Sequence, residues 1–191
     1  ADSGGKPWAS PYSDIALKYI SELVTEAADA GFEKIICSDM VYPDFRSYDL
    51  EILGSKVSSS NRYMALTSAA NVFYDTAVSK GASMQIEVSA EDLLKGKNDV
   101  ISQPMMLNVS SIVLNINIDS ISYGVYTNET VYEFSGTASD KVKKMLQLVS
   151  DYLRGFRNIA VRISGSSVGT DELIKAKEVI GEFGYRSFVI G

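Results

Sequence analysis

Two stretches decide the fold: Ala82-Ser83-Met84-Gln85-Ile86-Glu87-Val88-Ser89 and Ile112-Val113-Leu114-Asn115-Ile116-Asn117-Ile118-Asp119. In each, apolar and polar side chains alternate, the period of a β-strand whose two faces meet different surroundings. Met84, Ile86 and Val88 share one face of the first stretch, and Gln85, Glu87 and Ser89 share the other. Ile112, Leu114, Ile116 and Ile118 oppose Asn115, Asn117 and Asp119 in the second. A further run, Asn158 to Ser164, sets Val161 and Ile163 against Arg162 and Ser164. Central strands of a doubly wound sheet are covered on both sides and read apolar throughout. These strands are covered on one side. An apolar face under helices and a convergent polar face match the interior wall of a (β/α)8 barrel near its mouth. A small sheet with one solvated face is the alternative.

Outward from these strands, Ile15, Tyr19, Leu23, Ala27 and Ala30 recur at helical spacing and predict a helix over 12–30, closed by Gly31. Residues 32–39 read as a short buried strand. Helical patterns are predicted over 60–80, 140–153 and 170–183, and a last strand over 185–190. Gly81 and Gly184 repeat the glycine stop before a strand. Strands that alternate with helices make βα units and a largely parallel sheet. The expected fold is α/β: a partial (β/α)8 TIM-type barrel of about five parallel strands with helices on the outer face. Residues 1–11 read as a Gly/Ser-rich lead-in, and 12–191 as a single half-barrel domain. A full barrel takes ~250 residues, so a missing N-terminal half-barrel or self-association is expected to cover the open sheet.

The chain has 191 residues, 46% apolar and 22% charged, the proportions of an ordinary globular protein. Its net charge of −6 and the absence of a basic stripe argue against nucleic acid as a partner. No apolar run approaches the ~20 residues of a membrane span, so membrane insertion is not expected. A lone cysteine, Cys37, excludes an internal disulfide and multi-cysteine metal sites. There is no histidine, which removes the Ser-His-Asp and Cys-His nucleophile systems and histidine metal sites. No cofactor and no metal is expected. Any chemistry falls to carboxylates, Tyr, Lys or Arg.

The run Trp8-Ala9-Ser10-Pro11-Tyr12, a helix, then Gly31-Phe32-Glu33-Lys34-Ile35 and Ser38-Asp39-Met40-Val41-Tyr42-Pro43 resembles the glycoside hydrolase-like family of bacterial TIM-barrel proteins. That family reads Asn-Pro-Tyr, a helix, Gly-Phe-Asp-Glu-Ile, then an Asp-centred strand end followed by Pro. Arg62 and Val88-Ser89-Ala90-Glu91 fit its next helix and strand. The resemblance covers most of the chain as the C-terminal half of a barrel. Where the family has an Arg after its Asp, this chain has Met40, Val41 and Tyr42, and Val189-Ile190-Gly191 replace its Trp-Asn ending. The resemblance implies hydrolysis of glycosidic bonds in a poly- or oligosaccharide, in a bacterial and extracellular or cell-surface setting, with a cytoplasmic one still open.

Asp39 ends the first strand, where barrel enzymes place catalytic groups, and Glu87 lies late on the polar face of the next. Such a pair could flank a glycosidic bond, one carboxyl as acid and the other as nucleophile or base. The plainer roles are an Asx-turn for Asp39 and an ion pair with Arg162 for Glu87. Gln85, Asn115, Asn117, Asp119 and Arg162 share the polar face and could hydrogen-bond sugar hydroxyls, or satisfy one another as a ladder. Tyr42, Phe45, Tyr48, Tyr123, Tyr126 and Tyr132 stand on the two long loops and could stack on sugar rings, or pack those loops down. Thr170 is expected to cap the helix that follows Gly165-Ser166-Ser167-Val168-Gly169. The rival reading is a catalytically silent, TIM-barrel-like module that binds carbohydrate or associates with itself.

Overall fold

The computed structural model describes residues 8–45, 48, 50, 51, 54–58, 62–97, 99–165 and 168–189. Most of the predicted lead-in, and positions 166, 167, 190 and 191, lie outside the described residues.

Helix α1 spans Asp14–Asp29, and its first turn is fixed by the Ser13 hydroxyl, which accepts from the Ala16 amide at 3.3 Å. Gly31, at φ +94°, turns the chain into strand β1, Lys34–Cys37. Helix α2, Tyr63–Ser79, buries Leu66, Ala69, Ala70, Phe73 and Ala77, a stripe of helical period that faces the sheet. Strand β2, Ser83–Ser89, runs directly into a short helix α3, Ala90–Lys95. The sequence pattern missed α3 because six residues are too few for a periodicity to show.

Strand β3 is Ser111–Asn117, and it stops two residues short of the expectation. The Asn117 side chain accepts from the Ser120 amide at 3.0 Å and starts helix α4, Ile118–Ile121. Asn competes well for nearby backbone donors, which favours a cap over a continued strand. Inside the predicted 120–139 loop, strands β4 (Val125–Tyr126) and β5 (Val131–Tyr132) form an antiparallel ribbon. Helix α5, Ala138–Val149, opens with a reciprocal cap between Thr137 and Asp140. Strand β6 is Asn158–Ser164, as the sequence predicts. In helix α6, Thr170–Glu182, the cap position belongs to Gly169 without a side-chain bond, so Thr170 is the first helical residue rather than the cap. Strand β7, Arg186–Val189, completes the sheet.

The main sheet has the order β1-β2-β3-β6-β7, and every neighbouring pair is parallel. Each strand is therefore added on the same side of its predecessor. Right-handed crossovers that always step the same way place their helices on one face. The core agrees: Met84, Ile86, Val88, Ile112, Leu114, Ile116, Val161 and Ile163 join Leu66 and Phe73 of α2, Val142 and Met145 of α5, and Ala176 and Ile180 of α6. Fully burying one such side chain is worth about 1.5–3 kcal/mol. The opposite face carries Gln85, Glu87, Asn115, Arg162 and Ser164, with Val113 and Ala160 buried between them. Among the described residues the sheet is open, with β1 and β7 as its edges. No helix among them is long and apolar enough to cross a membrane.

Candidate functional site

The site begins where β1 ends. Asp39 adopts φ +57°, the left-handed region that Asp tolerates better than most side chains. Its carbonyl accepts from the Val41 amide at 2.8 Å, and its carboxylate accepts from the Ser38 hydroxyl at 3.4 Å. The tight turn keeps Asp39 exposed at the strand end. A strained non-glycine residue at the C-terminal end of a parallel strand is the kind of outlier that points to a site.

Glu87 is held differently. Its Oε1 accepts from Asn115 Nδ2 at 3.0 Å, and its Oε2 accepts from Arg162 Nη1 at 2.8 Å. The Ser164 hydroxyl donates to Asn115 Oδ1 at 3.1 Å, which fixes the amide orientation. Four side chains on β2, β3 and β6 thus form one connected unit on the polar face. The Glu87 side chain is 11% exposed and that of Arg162 30%, so the ion pair is largely withdrawn from water. The Arg162 Nε is buried without a protein partner.

Asp39 and Glu87 border one cavity of about 170 Å³, together with Met40, Val41, Ser89, Asp92 and Asn115. Asp92 was missed by the sequence reading, since it lies on α3 and outside any strand pattern. The Ser89 hydroxyl accepts from the Asp92 amide at 3.2 Å. Burial pushes the Asp92 carboxyl above the usual aspartate range, against the lowering influence of Lys97 and Lys95. Behind Asp39 a second cavity of about 300 Å³ is mainly apolar, lined by Trp8, Leu17, Ile20, Leu66 and Phe73. Asp39, Met40 and Val41 form the wall between the two. Cys37 borders the apolar cavity, and burial, with the nearby Asp39 charge, pushes its thiol up to about 11. That thiol is a packing residue, not a nucleophile.

Other expected ligands stand elsewhere. Tyr42 is 5% exposed, packed by Trp8 at 5.3 Å and Phe45 at 6.3 Å, with the Arg62 guanidinium 5.0 Å over its ring. Its hydroxyl donates to the Arg62 carbonyl at 3.0 Å, and burial raises its pKa further. With both faces covered it pins the loop down and has none left for a sugar, which replaces the stacking role expected of it. Phe45 packs edge-on against Trp8 in the same cluster. Gln85 is 4% exposed, donates to the Ser111 hydroxyl and borders a different cavity near the N-terminal strand ends. It is a structural bond, not a ligand at the mouth.

Asn117 spends its side chain on capping α4, and Asp119 sits in the first turn of that helix against Gly165, so neither projects from the strand face as expected. Tyr123 and Tyr126 are 83% and 66% exposed and border a shallow pocket of the β4–β5 ribbon with Glu133 and Phe134. The structure does not bring them to the Asp39–Glu87 cavity. Asn115 and Arg162 are brought to Glu87. Among the described residues no group of three or more metal-ligating side chains converges.

No family model matches the chain, and no curated protein matches it. Among solved structures, the chain is similar to the glycoside hydrolase domain of PgaB (BpsB) from Bordetella bronchiseptica, with a TM-score of 0.66 and 11% identity. The two chains share a fold. The match covers 98% of this chain and 62% of the PgaB chain, so the chain spans less than two thirds of that neighbour. At such low identity the likeness speaks for the fold alone.

Proposed function

We propose that this chain carries the catalytic wall of a TIM-barrel glycoside hydrolase, acting on a poly- or oligosaccharide through Asp39 and Glu87. The observation that supports it is the shared cavity: two carboxylates from consecutive strand ends border one space of about 170 Å³ on the polar side of the sheet. Hydrolysis by paired carboxyls needs water and no cofactor. Glu87, fixed by Asn115 and Arg162, is preorganised to face positive charge developing at an anomeric carbon. Asn115, bonded to Glu87 and Ser164, borders the same cavity and is assigned to sugar binding in this reading. Further βα units, or a second copy, would complete the barrel around this wall. A bacterial, extracytoplasmic setting belongs to the same proposal and rests on the sequence resemblance.

Release of reducing ends from a panel of oligosaccharides tests the reading. Glu87→Gln and Asp39→Asn are each expected to abolish release while the folded chain persists in circular dichroism. Undiminished release from both variants would reject the pair. A binding module without catalysis is the second reading, favoured by the ion pair that already occupies Glu87. It predicts glycan binding by calorimetry without turnover.

A further inference from the structure

We infer that Asp92 is the proton donor of this site, an inference that rests on the glycoside hydrolase reading above. Cleavage of a glycosidic bond requires a carboxyl that holds a proton when the substrate arrives. Glu87 is badly placed for that task. Its Oε1 is bonded to Asn115 at 3.0 Å and its Oε2 to the Arg162 guanidinium at 2.8 Å, so a proton on either oxygen would compete with a donor already in place. Asp39 is exposed on its turn, whereas a general acid works from a partly desolvated place, so Asp39 keeps a substrate-contact role in the reading above and the acid lies elsewhere on the wall.

Asp92 is the third acidic residue lining the cavity, its side chain bonded to Ser89. Helix α3 follows β2 without a loop, so Glu87 and Asp92 ride on one continuous strand–helix unit. The Ser89 hydroxyl, accepting from the Asp92 amide at 3.2 Å, fixes the junction between them. Burial is the largest influence on the Asp92 carboxyl and favours its neutral form, and the Glu91 charge adds to this. Lys97, Lys95 and the Ser89 hydroxyl act against it without reversing it. Across the cavity stand Asp39 and Glu87, the latter with its Arg162 partner.

In the step inferred, the Asp92 proton passes to the glycosidic oxygen as the bond from that oxygen to the anomeric carbon breaks. The bonding pair leaves with the oxygen. Glu87 supplies electrons to the anomeric carbon, either directly or by taking a proton from an attacking water. In the direct case a water then releases the glycosyl group and returns a proton to Asp92. In the other case Glu87 gives the proton it took to solvent, and solvent reprotonates Asp92.

Matched phenyl and dinitrophenyl glycosides across the common hexoses separate proton donation from a structural role, because dinitrophenolate departs without a proton. Asp92→Asn is expected to lower kcat/KM on the phenyl substrate by about 100-fold or more, to spare the dinitrophenyl substrate, and to remove the basic limb of the pH profile. Asp92→Glu is expected to restore part of the rate. Equal losses on both substrates overturn the assignment, as does the same discrimination appearing in Asp39→Asn instead. An Asp92 carboxyl that titrates by NMR at or below the ordinary aspartate value also overturns it, whatever the activity. A wild-type chain that cleaves neither kind of glycoside rejects the glycosidase reading, and this assignment falls with it.

Discussion

Arg162 reaches Glu87 across a strand that belongs to neither, with 2.8 Å between Nη1 and Oε2. Strands β2 and β6 both pair with β3 and never with each other. Asn115 lies on β3 in register with Arg162 and donates to the other Glu87 oxygen. The carboxylate is therefore gripped from two strands at once. A network of this kind in a low-dielectric setting is worth more intact than the sum of its single bonds, and it is costly when half removed.

Arg162→Met leaves a carboxylate that is only 11% exposed without its countercharge. A destabilisation of about 2–3 kcal/mol is expected, somewhat under the range for a fully buried pair. Adding Glu87→Gln should recover most of the loss, and a double-mutant cycle in urea measures the coupling. Strictly additive losses would show that the two side chains do not depend on each other.

Asp92→Asn should stabilise the fold at neutral pH while it slows cleavage of substrates whose leaving group needs a proton. The folded-state pKa of Asp92 is raised, so the native chain binds its proton more tightly than the unfolded chain does. Its contribution to stability is then full below the unfolded value and is lost as pH rises through the folded one. Thermal melts of wild type and variant should coincide near pH 3 and diverge by pH 7, with the variant higher. Identical melting temperatures across that range would count against a desolvated Asp92.

Glu91, its neighbour in sequence, has the opposite sign. Burial works against its carboxylate, yet hydrogen bonds from Lys95 and Ser120 and the charges of Lys95 and Lys97 outweigh it and hold the pKa below the usual glutamate range. Its stabilisation is present above the unfolded value and lost as pH falls through the folded one. Glu91→Gln should flatten the acid limb of the stability curve below about pH 5, the region where paired carboxylates are generally lost. Because the Ser120 hydroxyl donates to Glu91, the same change should loosen α4 against α3, read as faster amide exchange at Ser122 and Tyr123.

Ile15, Tyr19 and Leu23 form an exposed stripe along α1, and Ile36 is exposed on the edge strand β1. An exposed apolar helix stripe and an open sheet edge each invite association. Light scattering at high micromolar concentration should show dimers or larger species, and Ile15→Lys with Leu23→Lys should return the chain to monomer. A wild-type chain that stays monomeric would remove self-association from the proposal.

The sheet was legible because Met84/Ile86/Val88 and Ile112/Leu114/Ile116 recur at the strand period and put the main core on one face, although Gln85, Val113 and Ala160 are buried on the other. The clustering of Glu87, Asn115 and Arg162 followed from the same alternation, since residues of one parity on neighbouring strands must meet. What sequence hid was local competition. Asn117 and Asp119 looked like further rungs of the ladder, but the Asn117 side chain had a nearer donor in the Ser120 amide. Tyr42 looked like a platform because loop tyrosines often are exposed, yet Arg62, twenty residues on, offered both a carbonyl and a cation. Asp92 gave no periodic signal at all, and its meaning comes from burial, which only a folded chain has.

Strand order that equals chain order also governs how the molecule is made. Each strand pairs with one already emerged from the ribosome, β2 on β1, β3 on β2, β6 on β3 and β7 on β6. Among the described residues β2, β3, β6 and β7 each dock on a strand made earlier; the longest connection, from β3 to β6, passes through α4, the β4–β5 ribbon and α5, and closure entropy grows only slowly with such length. Assembly can proceed by successive docking behind the translating ribosome, which adds about 5–20 residues each second. The polar row is built in the same sequence: Glu87 appears first, then Asn115, and Arg162 arrives last to neutralise a carboxylate the earlier strands have already begun to bury.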